Sequence, residues 1–232
     1  MTMITLEQLR YRWPKHDIDT IHIEQLQIQQ GERIFLFGPS GTGKSTLLGL
    51  LAGIHRPTLG KISILNQDLT SLSNAKRDQF RADHIGTIFQ NFNLLAYLNP
   101  LENVMLGCHF STLRTNKAVQ QHGSVKQAAR HLLAQLGISE PLLHHSVGEL
   151  SIGQQQRIVA ARAVIGKPEL IIADEPTSAL DADNRAAFIN LLFEQATQCN
   201  ATLLFVSHDQ SLAPMFSRQL SLAEINQRDE KV

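Results

Sequence analysis

The sequence predicts an α/β fold: a mostly parallel sheet covered on both faces by helices, with an antiparallel β portion and an inserted helical block. Three observations carry that expectation. Short apolar runs, Leu170-Ile171-Ile172-Ala173 and Thr202-Leu203-Leu204-Phe205-Val206, alternate with helical stretches, as in parallel strands buried on both faces. A glycine-rich segment, Gly38-Pro39-Ser40-Gly41-Thr42-Gly43-Lys44-Ser45-Thr46, lies between the apolar run Ile34-Phe35-Leu36-Phe37 and a predicted helix. Between Asn91 and Gly148 the texture turns helical, and α/β texture then returns.

The elements follow in order. Met3 to Trp13 mixes apolar and polar residues in strand fashion and stops at Pro14. Ile21 to Ile28 alternates with its Ile and Leu residues largely on one face, then turns at Gln30-Gly31-Glu32. These read as two antiparallel strands feeding the Ile34–Phe37 strand. A helix from Lys44 to Ala52 ends at the breakers Gly53 and Pro57, and Lys61 to Leu65 resumes as strand. Ser71-Leu72-Ser73 opens a charged helix to about Arg81, and Ile85 to Phe89 reads as a strand ending at Gln90. Within the helical block, Val125 to Leu136 sets Val125, Ala128, Ala129, Leu132, Leu133 and Leu136 on one face. The polar interval Ser111 to Ser124 reads as a flexible connector or insertion. Gly153 to Ile165 and Asn184 to Ala196 are helices beside the two buried strands.

Composition excludes several classes. Lys+Arg and Asp+Glu both total 21, so overall charge points to neither nucleic acid nor an anionic membrane surface as a partner. Cys108 and Cys199 stand far apart without neighbouring ligands, which suits a reducing compartment, and His144-His145 lacks metal-site spacing. The apolar run Leu47 to Ile54 falls far short of the roughly 20 residues that cross a bilayer. No signal-peptide pattern opens the chain. The expected location is cytoplasmic, and the chain is not expected to form a pore itself.

The glycine-rich segment is a G-x-x-x-x-G-K-[ST] phosphate loop. Gly38, Gly41 and Gly43 allow turns that aim successive backbone N–H groups at phosphate oxygens. Lys44 adds a full charge near the β- and γ-phosphates, the following helix N-terminus adds its partial charge, and the Ser45 hydroxyl is placed to hold magnesium. In the second half, Leu170-Ile171-Ile172-Ala173-Asp174-Glu175 places two carboxylates at the C-terminal end of a buried strand, the edge where parallel sheets bind ligands. Asp174 would help to hold magnesium through water, and Glu175 would polarise the water that attacks the γ-phosphate.

Upstream of that strand, Leu150-Ser151-Ile152-Gly153-Gln154-Gln155-Gln156-Arg157 resembles the L-S-G-G-Q signature of the ATP-binding cassette (ABC) ATPases. The phosphate loop, Gln90, the signature, Asp174-Glu175, Ser178-Ala179-Leu180-Asp181 and His208 stand in that family's order across essentially the whole chain. The resemblance implies a P-loop NTPase cassette with a RecA-like sheet: residues 1–90 and 149–232 form the ATP-binding core with its β subdomain, and 91–148 the helical subdomain. It also implies that two copies close face to face around two ATP, each signature (Ser151, Gly153, Gln154) meeting the γ-phosphate held by the other copy's loop. Ile152 departs from the usual glycine.

Other roles carry over residue by residue. Gln90 matches the glutamine that contacts magnesium and the attacking water. Asp181 matches a loop that communicates between the two sites, although an Asp there also suits a helix cap. His208 matches the switch histidine on the γ-phosphate. Trp13, with Tyr11 as competitor, matches the aromatic that stacks on adenine. The stretch Ile85 to Leu95, continued by Leu98-Asn99-Pro100-Leu101-Glu102-Asn103-Val104, is similar to the lipoprotein-releasing, macrolide-exporting and cell-division branch. That branch implies an integral membrane permease subunit as partner, docked near Phe92, Leu94, Leu95 and Tyr97, with the chain peripheral on the inner face of the membrane. An amino-acid-importer cassette or a soluble non-transport ABC ATPase is the alternative.

Overall fold

Thr2–Tyr11 (β1) pairs antiparallel with Ile21–Gln29 (β2), its apolar residues registered against those of its neighbour, Leu6 opposite Leu26 and Ile4 opposite Ile28. The computed structural model describes residues 1–178, 180 and 182–227. The strand Arg33–Phe37 (β3) leads through the glycine-rich loop into the helix Lys44–Leu51 (α1); Leu59–Ile64 (β4) and the two-residue Gln67–Asp68 (β5) follow. Together β2-β1-β4-β5 form a four-stranded antiparallel sheet. In β1 the pairing with β4 shifts between Glu7 and Arg10, where Gln8 adopts a φ of 50°. An extra residue of this kind reverses the inside-outside alternation. Ile4 and Leu6 face the core before it, and Leu9 and Tyr11 after it.

The remaining elements build the second sheet and its cover. They are the helix Asn74–His84 (α2), strand Ile85–Ile88 (β6), helices Pro100–His109 (α3), Thr112–His122 (α4), Val125–Gln135 (α5) and Ile152–Val164 (α6), strand Leu170–Asp174 (β7), helix Ala182–Cys199 (α7), strands Thr202–Val206 (β8) and Arg218–Ser221 (β9), and helix Leu222–Ile225 (α8). Strands β6-β7-β8-β3-β9 run parallel throughout. Alternate residues divide between the two faces. Phe35, Ile171, Ala173, Leu203 and Phe205 join the core with α3, α5, α6 and α7, while Ile34, Leu36, Ile172, Leu204 and Val206 join the core with α1 and the antiparallel sheet. The fold class expected from the apolar runs is therefore the observed one. In α5, Ala128, Ala129 and Leu133, with Leu136 just beyond, are buried as its periodicity predicts.

The interval Ser111 to Ser124 is a correction: it is not a flexible connector but the helix α4, capped by the Ser111 hydroxyl, which accepts from the Arg114 backbone N–H at 3.0 Å. Arg114 is buried, and its guanidinium donates to Ala163 O and Ile165 O at the C-terminal end of α6. What anchors α4 is thus an arginine on orphan helix carbonyls, and hydrophobic periodicity does not register such an anchor.

One turn further, Lys117 Nζ donates to Glu169 Oε1 at 2.8 Å, and His84 Nδ1 lies 2.9 Å from Glu169 Oε2. Burial alone would raise the Glu169 carboxyl, but the hydrogen bonds from His84 and Lys117 and their charges outweigh it and hold the group at about 2. A carboxyl depressed in the folded state stabilises above its ordinary value, and that stability is lost as pH falls through the folded value. Glu169→Gln should therefore be less stable than the parent at pH 7 by about 2 kcal/mol. The gap should shrink as pH falls from 4.5 towards about 2, and urea unfolding midpoints at pH 7 and pH 3 check it.

Candidate functional site

The phosphate loop is shaped by contacts that only glycine permits at one point. Gly43, the residue before α1, has a φ of 100°, and a Cβ there would meet Ile21 Cδ1 at 2.9 Å and Thr20 O at 3.2 Å. The loop is closed by the Thr42 hydroxyl donating to Pro39 O at 2.8 Å. Lys44 Nζ donates to Gly38 O at 2.7 Å and Pro39 O at 3.0 Å, which suspends its charge over the loop. No side chain caps α1, so its N-terminus remains suited to an anion.

Parallel register brings the carboxylates to the same edge. Asp174 aligns with Val206, and Val206 with Leu36, so β7, β8 and β3 end side by side. Glu175 continues from β7 with a φ of 49°, a left-handed conformation that a non-glycine residue keeps only under constraint. Here its backbone N–H donates to Val206 O at 3.0 Å, and His208 Nδ1 lies 2.9 Å from its Oε2. The Ser45 hydroxyl donates to Asp174 Oδ2 at 3.4 Å. Burial, then the neighbouring Glu175 charge, raises the Asp174 carboxyl, while the Ser45 hydrogen bond and the Lys44 charge pull it down.

These groups open into one cleft of about 540 Å³, lined by Trp13, Thr20, Ser40, Gly41, Gly43, Lys44, Ser45, Thr46, Gln90, Asp174, Glu175 and His208. The two aromatic candidates differ in exposure. Tyr11 is buried, whereas Trp13 is 37% exposed at the cleft, braced edge-on by Tyr11 and His55 at centroid distances of 5.2 and 5.0 Å.

The signature residues are not in this cleft. Ser151 caps α6 in a reciprocal box: its hydroxyl accepts from Gln154 N, and Gln154 Oε1 accepts from Ser151 N. A Cβ on Gly153 would meet nothing within 4 Å, so the chain's own packing does not require glycine there. Ile152 is 51% exposed and points its bulk outward beside it. Further along α6, Gln156 Nε2 donates at 2.9 Å to the carbonyl of Pro176, the residue after Glu175. Asp181 lies outside the described residues.

The family model described as ABC transporter matches residues 21–178 of this chain. The chain belongs to the ABC transporter family. This cassette is 41% identical over 198 residues to the lipoprotein-releasing system ATP-binding protein LolD of Psychrobacter arcticus, covering 85% of this chain and 84% of that protein. It is 37% identical over 216 residues to the uncharacterized ABC transporter ATP-binding protein YbbA of Escherichia coli K12, covering 93% and 91%. Among solved structures, the dimeric post-hydrolysis state of the ATP-binding cassette MJ0796 bound to ADP and Pi aligns with a TM-score of 0.82 at 30% identity over 98% of both chains. The chain is thus an ABC cassette ATPase, and its antiparallel sheet, parallel sheet and helices have that cassette's arrangement.

Three residues in or around the cleft were given no role by the sequence. Thr20 lines the cleft from the turn before β2 and packs against the phosphate loop. Arg185 on α7 donates to Leu180 O at 2.8 Å and to Asp209 Oδ2 at 2.6 Å, tying the segment after Glu175 to the one after His208. The fully buried Asn103 accepts from Leu95 N at 2.9 Å and donates to Leu95 O at 3.1 Å and Leu98 O at 3.3 Å, shaping the loop beyond Gln90. In that loop Phe92 and Leu94 pack partly into the core, while Leu95 and Tyr97 are exposed at 38% and 77%.

Proposed function

We propose that this cassette is the ATP-hydrolysing subunit of a membrane complex of the lipoprotein-releasing and macrolide-exporting branch. Two copies close around two ATP with magnesium, and each is held peripherally on the inner face of the membrane by a separate permease subunit. The observation that carries the reading is the single cleft that gathers Trp13, Lys44, Ser45, Gln90, Asp174, Glu175 and His208 from separate stretches of chain. Relatedness to LolD supports the branch. Among the described residues no helix is long and apolar enough to cross a membrane.

In this reading the Trp13 indole stacks on adenine, and the loop from Gly38 to Thr46 with Lys44 binds the phosphates. The Ser45 hydroxyl, the Asp174 carboxylate and the Gln90 amide oxygen line the same cleft and supply hard oxygen donors of the kind that suit a divalent ion. When bound, magnesium neutralises charge on the β- and γ-phosphate oxygens. Glu175 takes the proton of the attacking water, and His208 beside it contacts the terminal phosphate. The Ser151–Gly153 helix end, with Gln154 closing its cap, completes the opposing copy's site, and Asp181 takes the part of communicating between the two sites. Residues 91–148 act as the helical subdomain on a core of 1–90 and 149–232, and the exposed Leu95 and Tyr97 belong to the face that meets the permease.

Lys44→Ala should weaken ATP binding about 10- to 100-fold, the loss of a charge-assisted contact or two. The chain's single tryptophan, Trp13, reports binding by fluorescence. Unchanged affinity and turnover in this variant would defeat the site assignment.

A further inference from the structure

The turn beyond Gln90 is held by a group far away in sequence. Phe92 and Asn93 have φ values of 58° and 51°, left-handed conformations that cost non-glycine residues free energy and persist where surrounding structure enforces them. The half-buried Arg162 on α6 supplies that constraint. Its Nη2 donates to Phe92 O at 2.5 Å and its Nη1 to Asn93 O at 2.6 Å, a two-pronged grip that suits the planar guanidinium fork.

Helix α6 has several attachments. Its N-terminus is the Ser151 cap, Gln156 reaches Pro176 O directly behind Glu175, and Arg162 reaches the turn behind Gln90. Thirteen residues make a rod of about 20 Å. Near Arg162 the rod is locked against α3, since a Cβ on Gly107 would meet Arg162 O at 2.4 Å. Arg162 also lines a groove of about 630 Å³ with Arg81, Thr87, Leu106 and Phe110. One side chain thus joins the signature helix, the groove and the turn that carries Gln90.

We propose that Arg162 is a positioning residue for ATP hydrolysis: by holding the Phe92–Asn93 turn on α6, it sets Gln90 in the catalytic cleft and makes the cleft responsive to displacement of the signature helix. The inference rests on Gln90 being a working member of the site. Arg162 does not line the cleft, and its contact nearest to Gln90 is with the turn carbonyls of Phe92 and Asn93.

The test is steady-state ATP hydrolysis by the full chain in four forms: the parent, Arg162→Lys, Gln90→Ala and the double variant. Lysine keeps the charge but presents a point charge where the fork made two directed bonds. The expected result is a roughly tenfold fall in kcat for Arg162→Lys with KM for ATP within about twofold of the parent, and a double variant no slower than Gln90→Ala alone. If Gln90→Ala is slow and the two losses multiply, Arg162 supports the fold generally and the positioning role is overturned. If Gln90→Ala turns over normally, the Gln90 reading itself fails and takes the proposal with it. Thermal unfolding verifies that each variant is folded; where Arg162→Lys is not, Arg162→Gln, which retains amide donors, carries the same comparison.

Discussion

Glu175→Gln should slow ATP turnover by about 10²- to 10⁴-fold, the usual contribution of a positioned general base, while ATP affinity stays near that of the parent. The amide is nearly isosteric with the carboxylate, so the strained turn and its hydrogen bond to Val206 O are retained. What disappears is the ability to accept a proton from water beside His208, whose Nδ1 lies 2.9 Å from the carboxylate. The Trp13, Lys44 and Ser45 contacts lie elsewhere in the cleft and are untouched. Because hydrolysis is what would release the two copies, the variant should accumulate as a dimer with ATP and remain a monomer with ADP. Size-exclusion chromatography with each nucleotide reads this directly. Parent-like turnover would remove Glu175 as the base; slow turnover without an ATP-dependent dimer would instead remove the two-copy closure and leave the base assignment standing.

The parts of this site that were legible in the sequence are those where residue type and backbone pattern coincide. A phosphate loop needs glycine at fixed positions after an apolar strand, and Gly43 is such a position because Thr20 and Ile21 occupy the space of its missing Cβ. The Asp174-Glu175 pair was legible because a wholly apolar strand must end at a functional edge when neighbouring strands run parallel. Strand β9 was not, since Arg218-Gln219-Leu220-Ser221 buries only Leu220 and its place beside β3 comes from backbone pairing. The bulge at Gln8 was equally hidden: nothing in Glu7-Gln8-Leu9 announces a change of parity, yet it turns Leu9 and Tyr11 to the core that Ile4 and Leu6 face before it. Arg162, Arg185 and Asn103 act through directed hydrogen bonds to backbone carbonyls distant in sequence, and a one-dimensional pattern of apolar residues carries no trace of them.

Arg114 is the extreme case of such a residue, and its replacement should produce a large loss of stability. Its guanidinium sits at the C-terminal end of α6, where the helix leaves carbonyls without intrahelical partners and the macrodipole favours a cation. Nε and Nη2 donate to Ile165 O, and Nη2 reaches Ala163 O at 2.8 Å and Arg162 O at 3.4 Å. Burial lowers the Arg114 pKa, with the nearby cysteines, Glu169 and Asp83 opposing that shift. Arg114→Ala would leave those carbonyls buried and unpaired, at about 1–3 kcal/mol each, and would detach α4 as well, for a total of about 4 kcal/mol. Against the 5–15 kcal/mol that holds a typical domain together, that is enough to bring the cassette close to unfolding. Urea denaturation should show the midpoint falling with little change in slope. Because α4 contributes no residue to the nucleotide cleft, whatever fraction stays folded should bind ATP with parent affinity. A midpoint shift below about 1 kcal/mol would mean that water satisfies the α6 carbonyls as well as the guanidinium does. In that case α4 would be held by its few apolar contacts, Ala118 foremost among them, and Arg114 would not be its anchor.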